Sequence, residues 1–353
     1  MITRIMDVST EPINMEYIRE ASEILKKGGL VAFPTETVYG LGGDATDKEA
    51  SRKIYAAKGR PSDNPLIVHI SKFSQLEAIS KDLPENAKKL ADAFWPGPLT
   101  MVVNKNEVVP YETTGGLDTV AVRMPNNPVA LALINESGCM IAAPSANTSG
   151  RPSPTKASHV AQDLSGKIDA ILDGGAVDIG LESTIVDLTE DIVTVLRPGY
   201  INMDMLSKVV GQVRMDPGIV FNDKGTTTGA KPKAPGMRYK HYAPKGDLTI
   251  VSGEEKTVIS KINEMTKEAI AKGSKVGIIA TSETADKYLD GQILVIGDRV
   301  DERSIAHNLY DILRQFDELE VDVIYSESFA TPNMGQAIMN RLLKAAGQKT
   351  IEV

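Results

Sequence analysis

The longest cluster of small polar side chains runs from Ala143 to Thr155 and surrounds Arg151 with hydroxyl and amide groups, among them Ser145 and Ser153. A helix is predicted to begin near Thr155, and backbone amides and hydroxyls just before a helix favour a bound anion. A Ser- and Asn-rich surface loop that caps the helix is the alternative. This stretch therefore predicts an anion site, provided that other groups of suitable chemistry lie near it.

Cationic side chains stand at the ends of predicted helices and strands in three other places. Lys58 and Arg60 flank Gly59 at a helix C-terminus, although the helix dipole alone would favour cations there. Arg123 and Arg197 each follow an apolar run. A guanidinium at a strand exit can bind a carboxylate or phosphate through two parallel hydrogen bonds. An exposed surface charge is the alternative for Arg123.

Hydroxyl groups accompany two further strand ends. The stretch Phe33–Gly42 begins as a strand and is predicted to turn at its glycines, which would present Thr35 and Thr37 beside backbone that a ligand can approach closely. Ser183 lies at the start of a later strand. A strand followed by a capped turn explains the first stretch equally well, so these hydroxyls become candidates only in combination with the cations.

The standard phosphate-binding loops are missing from the sequence. No Gly-x-x-x-x-Gly-Lys-Ser/Thr loop is present, and Gly40–Gly43 lacks the spacing of a dinucleotide fingerprint. Four histidines and the single Cys139 argue against a dedicated transition-metal site, and no residue is assigned as a metal ligand. The expected ion is Mg²⁺, held mainly by nucleotide phosphates. Any nucleotide must therefore bind in another way.

Composition describes an ordinary globular chain. Of its 353 residues, 42% are hydrophobic and 24% charged, and the net charge of −8 disfavours non-specific binding of nucleic acid by the whole surface. The length suits two domains, each able to bury its own core. No stretch approaches the roughly 18 apolar residues of a membrane span, and the N-terminus lacks a signal-peptide pattern. A cytosolic location is expected.

Strand-like apolar runs alternate with helix-period segments through the first 210 residues, which is the pattern of an α/β fold. The last three runs, at 170–172, 184–186 and 192–196, stand too close together for helices between them. Part of the sheet should therefore be antiparallel. After residue 246, four apolar runs alternate with helical segments, which indicates a smaller and mostly parallel sheet.

The expected fold class is α/β. Residues 1–210 should form a twisted mixed sheet with helices, and residues 247–353 a smaller, Rossmann-like, mostly parallel α/β domain. Between them, residues 211–246 are rich in Gly, Pro, Thr and Lys and are predicted to be a linker. This linker holds seven Lys or Arg against two Asp, a local charge of +5. A mobile segment of that charge suits a lid over bound anions.

Together these motifs resemble those of the threonylcarbamoyl-AMP synthases of the YrdC type, in their longer two-domain form. The motifs that carry the resemblance are Phe33–Gly42, Lys58–His69, Arg123, Pro144–Pro154, Ser183–Thr184 and Arg197–Gly199. It extends to Ala234–Pro244, which is similar to that family's linker motif, and in the C-terminal domain it is one of size and pattern only. Family members combine L-threonine, bicarbonate and ATP into threonylcarbamoyl-AMP and pyrophosphate, the first step toward threonylcarbamoyladenosine at position 37 of tRNA.

The resemblance also implies roles for individual residues. The L-threonine pocket would be lined by Thr35, His69, Arg123, Ala143 and Ser183, with Arg123 pairing with the substrate carboxylate. ATP would be held by Arg60, Asn64, Thr119, Ser145, Ser153, Arg197 and Tyr242, the last reaching in from the linker. Catalysis would fall to Lys58, Arg60 and Arg197, which together with Mg²⁺ would stabilise the charge that grows on the leaving pyrophosphate.

The implied product would pass to the tRNA threonylcarbamoyl-transferase machinery, with weak RNA binding of the protein itself and no membrane association. Two other interpretations stay open. A double-stranded RNA- or tRNA-binding module without adenylate synthesis could use the basic groups, although the net charge and the 5% aromatic content argue against it. A carbamoyl transferase for another amine, or a regulatory nucleotide-binding protein, could use the same pocket.

Overall fold

The described chain forms two units, each with its own sheet. The computed structural model describes residues 2–219, 242–329 and 333–353. Within these ranges, the second unit consists of Gly150–Ser153, Ile179–Leu181 and all residues from 242 onward, and the first unit contains the rest. Most of the predicted linker, including Ala234–His241 and with it most of the expected lid, lies outside the described residues.

The first unit alternates strands and helices. Its strands are β1 (Arg4–Asp7), β2 (Val31–Phe33), β3 (Gly40–Asp44), β4 (Ile67–His69), β5 (Leu99–Asn104), β6 (Thr119–Arg123), β7 (Ile141–Ala142), β8 (Ala170–Asp173), β9 (Thr184–Asp187), β10 (Val193–Arg197) and β11 (Val213–Met215). Its helices are α1 (Met15–Lys26), α2 (Lys48–Lys58), α3 (Phe73–Ile79), α4 (Glu85–Phe94), α5 (Tyr111–Thr114), α6 (Pro128–Ser137), α7 (Ala157–Leu164) and α8 (Met203–Val210). Strand β11 falls within the predicted linker and pairs with β10.

These strands of the described chain form one mixed sheet in the order β1-β8-β2-β3-β7-β4-β6-β5-β9-β10-β11. Strands β4 and β6 run parallel, whereas β5 pairs antiparallel with β6 and β9 with β10. The predicted mixed sheet is confirmed. Its antiparallel part includes the β9–β10 pair, the two closely spaced runs on which the prediction partly rested.

Both faces of the sheet are covered by apolar packing. Val31 and Phe33 of β2 belong to one core together with residues of α1 and α6, while Ala32 between them belongs to the core on the opposite face. Successive side chains of strand β8 are likewise buried alternately in the two cores. Because successive side chains are buried on opposite faces, such strands read as continuous apolar runs, which is why the sequence revealed them.

The glycine-rich stretch after β2 differs from its prediction. The chain turns earlier than expected, at Thr35–Val38, and the glycines form β3, antiparallel to β2. A Cβ atom on Gly42 would lie 2.7 Å from Cγ2 of Ile141 and 2.9 Å from the Phe33 ring. Gly42 is therefore needed for the close approach of neighbouring groups within the sheet rather than for a turn.

The second unit carries a parallel sheet. Its strands are β12 (Asp247–Ser252), β13 (Val276–Thr281), β14 (Gln292–Gly297), β15 (Val323–Glu327) and β16 (Thr350–Glu352), in the order β14-β13-β15-β12-β16. Its helices are α9 (Glu255–Ala271), α10 (Glu302–Glu318) and α11 (Gly335–Ala345), with a short 3₁₀ helix at Ala285–Lys287. All strand pairs of this sheet are parallel, which agrees with the mostly parallel sheet that was predicted. Across the described ranges, no helix has the length and apolar character to cross a membrane.

The start of α6 offers a local test of the fold. The Asn127 side chain accepts hydrogen bonds from the amides of Val129 and Ala130 at 3.0 and 3.1 Å. Replacing Asn127 with Ala should lower the free energy of unfolding by about 1 kcal/mol, because these amides lose their partner. Urea unfolding followed by the fluorescence of Trp95, the one tryptophan of the chain, measures the loss.

The neighbouring Asn126 is exposed and provides a matched control. Asn126→Ala should change the free energy of unfolding by less than about 0.5 kcal/mol. Equal losses in the two variants would contradict the role of Asn127 as a helix cap.

Candidate active site

The turn after β2 is held by a threonine hydroxyl. Oγ1 of Thr35 accepts hydrogen bonds from the amides of Thr37 and Val38 at 3.1 and 3.2 Å, and lies 2.6 Å from the Val38 carbonyl oxygen. It also lies 2.9 Å from Oγ1 of Thr37. Both threonines are buried, so the turn is rigid and presents its hydroxyls inside the protein.

Arg123, the last residue of β6, reaches this turn. Its Nη1 donates to Oγ1 of Thr37 at 2.8 Å, and its Nη2 lies 2.7 Å from Oε2 of Glu36. Arg123 and Glu36 are each 4% exposed. The Nη2–Oε2 contact is an ion pair without hydrogen-bond geometry, and among the described residues neither Nη2 nor the two Glu36 oxygens has a hydrogen-bond partner. Nη2 of Arg123 can therefore still donate a hydrogen bond, and the Glu36 carboxylate can still accept one, inside the protein.

His69 ends β4, in register with Arg123 on the parallel strand β6. Its Nδ1 lies 3.2 Å from the carbonyl oxygen of Ile67, and its ring packs edge-on against Phe33 with centroids 5.9 Å apart. Burial, and to a lesser extent the positive charge of Arg123, together lower the pKa of His69 to about 3. His69 is therefore a neutral imidazole at physiological pH.

Ser183 and Arg197 form a second buried pair beside this group. Arg197 donates from Nε to the carbonyl oxygen of Ser183 at 3.1 Å and from Nη2 to its hydroxyl at 3.2 Å. The Ser183 hydroxyl lies 2.8 Å from that of Thr100, which is the register partner of Arg123 across β5 and β6.

Ala143 follows β7, and its amide donates to the Ile67 carbonyl at 2.8 Å. The sheet thus brings Arg197 and the five predicted L-threonine residues together.

Lys58 organises the Ser/Asn-rich segment. It closes α2, where Gly59 adopts a left-handed C-cap with φ of 60°, and its ammonium donates to the carbonyl oxygens of Ser145 and Asn147. The hydroxyl of Ser145 donates to Oδ1 of Asn147 at 2.6 Å. A β-bridge between Ser145 and Gly40 connects this segment to β3, which follows the Thr35 turn.

The other predicted ATP residues of the first unit lie toward the opposite end of the strands. The guanidinium of Arg60 donates to the carbonyls of Asn64 and Pro65 at 3.2 and 3.1 Å. Oδ1 of Asn64 is buried and has no hydrogen-bond partner in the part of the chain that the structure describes. Thr119 is the first residue of β6, so it stands about 13 Å from Arg123 along a strand that rises 3.3 Å per residue. Because β4 and β6 are parallel, the residues just before Ile67 share this edge with Thr119.

Ser153 and Tyr242 belong to the second unit. Both are buried, and the Tyr242 ring stacks on that of Tyr310 with centroids 5.2 Å apart. Sequence reasoning did not single out Glu36, Thr100 or the carbonyl of Asn147. For Glu36, the Thr-Glu-Thr stretch soon after a buried strand was a usable signal. Across the described ranges, no three His, Cys, Asp or Glu side chains come together as a metal site.

The neutrality of His69 has a measurable consequence. An unfolded chain protonates this histidine below about pH 6.5, whereas the folded chain resists protonation until about pH 3. The unfolded state therefore binds more protons in this window, and stability falls as the pH drops from 6.5 toward 3. Between pH 7 and pH 5, His69 should account for a loss of about 2 kcal/mol.

Urea unfolding followed by Trp95 fluorescence at both pH values measures this loss, with His69→Gln as the comparison. The variant should lose less stability than the parent protein on going from pH 7 to pH 5. An identical pH dependence in the two proteins would contradict a buried, neutral His69.

Two family models match the chain in succession. The model described as "Telomere recombination", which covers Sua5, YciO and YrdC proteins, matches residues 23–199. The model described as "Threonylcarbamoyl-AMP synthase, C-terminal domain" matches residues 201–347.

Relatives match over nearly their whole length. The threonylcarbamoyl-AMP synthase of Pyrococcus abyssi is 49% identical over 95% of this chain and 96% of its own, and that of Bacillus subtilis is 47% identical over 98% of each. The crystal structure of P. abyssi Sua5 complexed with L-threonine is similar with a TM-score of 0.92 at 48% identity, covering 99% of this chain and 100% of that one. The chain therefore belongs to the threonylcarbamoyl-AMP synthase family, in its two-domain form.

Proposed function

We propose that this protein is an enzyme that makes threonylcarbamoyl-AMP from L-threonine, bicarbonate and ATP, with release of pyrophosphate. The observation that carries the proposal is the burial of four cationic side chains in one unit: Lys58, Arg60, Arg123 and Arg197. Burying a cation costs free energy unless anions or oxygen atoms face it, so this group suits two anionic reactants. The names of relatives at 47% and 49% identity, and the L-threonine complex of the P. abyssi protein, support the same reaction.

Arg123 is proposed to pair with the carboxylate of L-threonine. Its guanidinium is already oriented by Thr37 and Glu36, so little side-chain freedom is lost on binding. The remaining pocket would be formed by Thr35, His69, Ala143 and Ser183. A neutral His69 can exchange hydrogen bonds with the substrate without adding a further positive charge beside its amino group.

ATP is proposed to place its phosphates against Lys58 and Arg197, and to be held further by Arg60, Asn64, Thr119 and Ser145. Arg60, which was expected at the phosphates, lies with Asn64 at the Thr119 end of the strands, where the nucleoside would bind. The ATP roles that the resemblance implies for Ser153 and Tyr242, which belong to the second unit, stay predictions. An extended nucleotide with its phosphates toward the Arg123 end of β6 would reach Thr119 with its nucleoside end. Among residues 2–219, 242–329 and 333–353, no donor reaches the buried Oδ1 of Asn64, and a ribose hydroxyl or the adenine amino group could supply one.

The reaction needs no protein nucleophile. The amine of L-threonine adds to carbon dioxide supplied by bicarbonate, forming a C–N bond and losing a proton to give a carbamate. A carbamate oxygen attacks the α-phosphorus, and the bond from that phosphorus to the bridging oxygen breaks as pyrophosphate leaves. This is adenylyl transfer, so the enzyme is proposed to be a nucleotidyltransferase. Its contribution is to hold two anions together and to stabilise the charge on the leaving group.

Mg²⁺ is proposed to enter with ATP. The Lys58 ammonium faces two backbone carbonyls, and within the described ranges no cluster of three or more His, Cys, Asp or Glu side chains is present. Such surroundings fit an ion held mainly by phosphates, which would offset part of the negative charge of the nucleotide.

The product is a mixed anhydride that water cleaves, so a transferase must consume it soon after release. We expect that role to fall to the tRNA threonylcarbamoyl-transferase machinery in the cytoplasm. Weak binding of RNA by this protein stays a prediction.

Pyrophosphate release from Mg-ATP tests the reaction directly. We expect release that requires both L-threonine and bicarbonate and that stops when either is omitted. Release without L-threonine would point to another amine or to simple ATP hydrolysis. Tight, salt-sensitive binding of tRNA in a gel shift without any ATP turnover would instead favour an RNA-binding module.

Replacing Arg123 with Ala tests the carboxylate assignment. L-threonine binding measured by calorimetry should weaken by about 2–4 kcal/mol, the cost of removing one partner of a desolvated charge pair, while ATP affinity changes little. The half-exposed Arg214, which pairs with Glu190, supplies the control, and Arg214→Ala should leave both affinities unchanged. Equal losses for both ligands in Arg123→Ala would reject the assignment.

A further inference from the structure

Glu36 is a buried carboxylate of the first unit whose oxygens accept no hydrogen bond within the described ranges. Two other buried carboxylates of this unit differ from it. Oδ2 of Asp163 accepts from the amide of Thr148 at 3.0 Å. Oδ1 of Asp187 accepts from the amide and the hydroxyl of Thr189 at 2.9 and 2.6 Å. Because buried polar groups nearly always have partners in folded proteins, the Glu36 oxygens call for a donor from outside the described chain.

Glu36 lies against the guanidinium of Arg123. Oε2 of Glu36 and Nη2 of Arg123 are 2.7 Å apart without hydrogen-bond geometry, and Nη2 likewise lacks a hydrogen-bond partner among the described residues. The other terminal nitrogen is already used, since Nη1 donates to Oγ1 of Thr37 at 2.8 Å. The L-threonine carboxylate that the proposed function assigns to Arg123 would therefore bind at Nη2, beside Oε2 of Glu36.

Charge decides which kind of carboxylate can bind beside Glu36. The charges of Arg123 and Glu36 cancel, and His69, in register with Arg123, is neutral because burial lowers its pKa. A ligand that carries only a carboxylate would add net negative charge next to Glu36 inside the protein, where like charges repel strongly. An α-amino acid avoids this repulsion, because its ammonium is attached to the same carbon as its carboxylate and can lie at the Glu36 oxygens.

We propose that Glu36 binds the α-amino group of L-threonine and thereby selects amino acids against carboxylic acids that lack an amine. The substrate ammonium donates to the oxygens of Glu36 while the substrate carboxylate accepts from Nη2 of Arg123. The zwitterion thus meets an ion pair of the opposite arrangement. This inference rests on the proposed function and deepens it, since it names the group that recognises the amine.

A cycle of residue and ligand changes tests this contact in the full chain. The probe is (R)-3-hydroxybutanoate, which is L-threonine with hydrogen in place of the amino group, and calorimetry gives both affinities. The parent protein should prefer L-threonine by at least about tenfold, the effect of one hydrogen bond between charged groups. In Glu36→Gln this preference should fall by at least about tenfold, because L-threonine loses a charged acceptor while the probe loses a like-charged neighbour.

Thr37→Val is the matched control, because it removes another partner of the same guanidinium with little change in size. It should weaken the binding of L-threonine and of (R)-3-hydroxybutanoate by the same factor, since the two ligands share the carboxylate that Arg123 binds. Glu190→Gln removes an exposed carboxylate that pairs with Arg214. It should leave both affinities within about twofold of the parent values.

Glu36→Asp keeps the negative charge beside Arg123 and covers the case in which Glu36→Gln does not fold. Its carboxylate is withdrawn by one methylene, so the preference for L-threonine should fall below that of the parent but stay above that of Glu36→Gln. In the pyrophosphate assay the KM for L-threonine should rise in the same order. The KM for ATP should stay within about twofold of the parent value in both variants.

Two results would overturn the proposal. One is an equal loss of affinity for L-threonine and (R)-3-hydroxybutanoate in Glu36→Gln, which would show that Glu36 only orients Arg123 or contacts water. The other is a preference in Glu36→Asp equal to that of the parent. Failure of the proposed function is a distinct result, because the parent protein would then release no pyrophosphate in response to L-threonine, whatever the variants bind.

Discussion

Buried positive charge is the constraint on which the arrangement of the first unit depends. Lys58 directs its ammonium to two backbone carbonyls, Arg123 its guanidinium to a hydroxyl and a carboxylate, and Arg197 to Ser183. Each contact joins a strand or helix end to a segment from elsewhere in the chain. The interactions that lower the cost of burial therefore also fix the positions of these side chains, so that stability and the proposed substrate binding would depend on the same groups.

Much of the fold was predictable because the sheet of the first unit is buried on both faces. Strands such as β8, with Ala170, Ile171 and Leu172, appear in the sequence as unbroken apolar runs, and the close spacing of β9 and β10 excluded a helix between them. The strands that sequence reasoning missed are those without such a run. Strands β1, β11 and β16 are short and partly exposed at sheet edges, and β3 is built from glycines that signal a turn. In β3 the requirement for close packing outweighs the weak strand preference of glycine.

The candidate site was predictable where a charged or hydroxyl side chain stands at a strand end, as for Arg123 and Ser183. It was not predictable where the partner is a backbone group. Every residue type has a backbone carbonyl, so the sequence does not show which carbonyls accept from the Lys58 ammonium. Glu36 escaped notice for a related reason, since a carboxylate in a turn is ordinarily solvated. Only the register of β5 against β6 reveals that Thr100 stands between Arg123 and Ser183.

Strand β6 carries Arg123 at one end and Thr119 at the other, the two positions to which the amino acid and the nucleoside are assigned. A strand changes length only by whole residues, about 3.3 Å each, and a one-residue change would turn one of the two side chains to the opposite face of the sheet. The distance between the two ligand positions can therefore change only in whole-residue steps. During evolution, a shift toward a bulkier amino-acid substrate would have to be accommodated by the turns that flank β6, while the strand keeps its five residues.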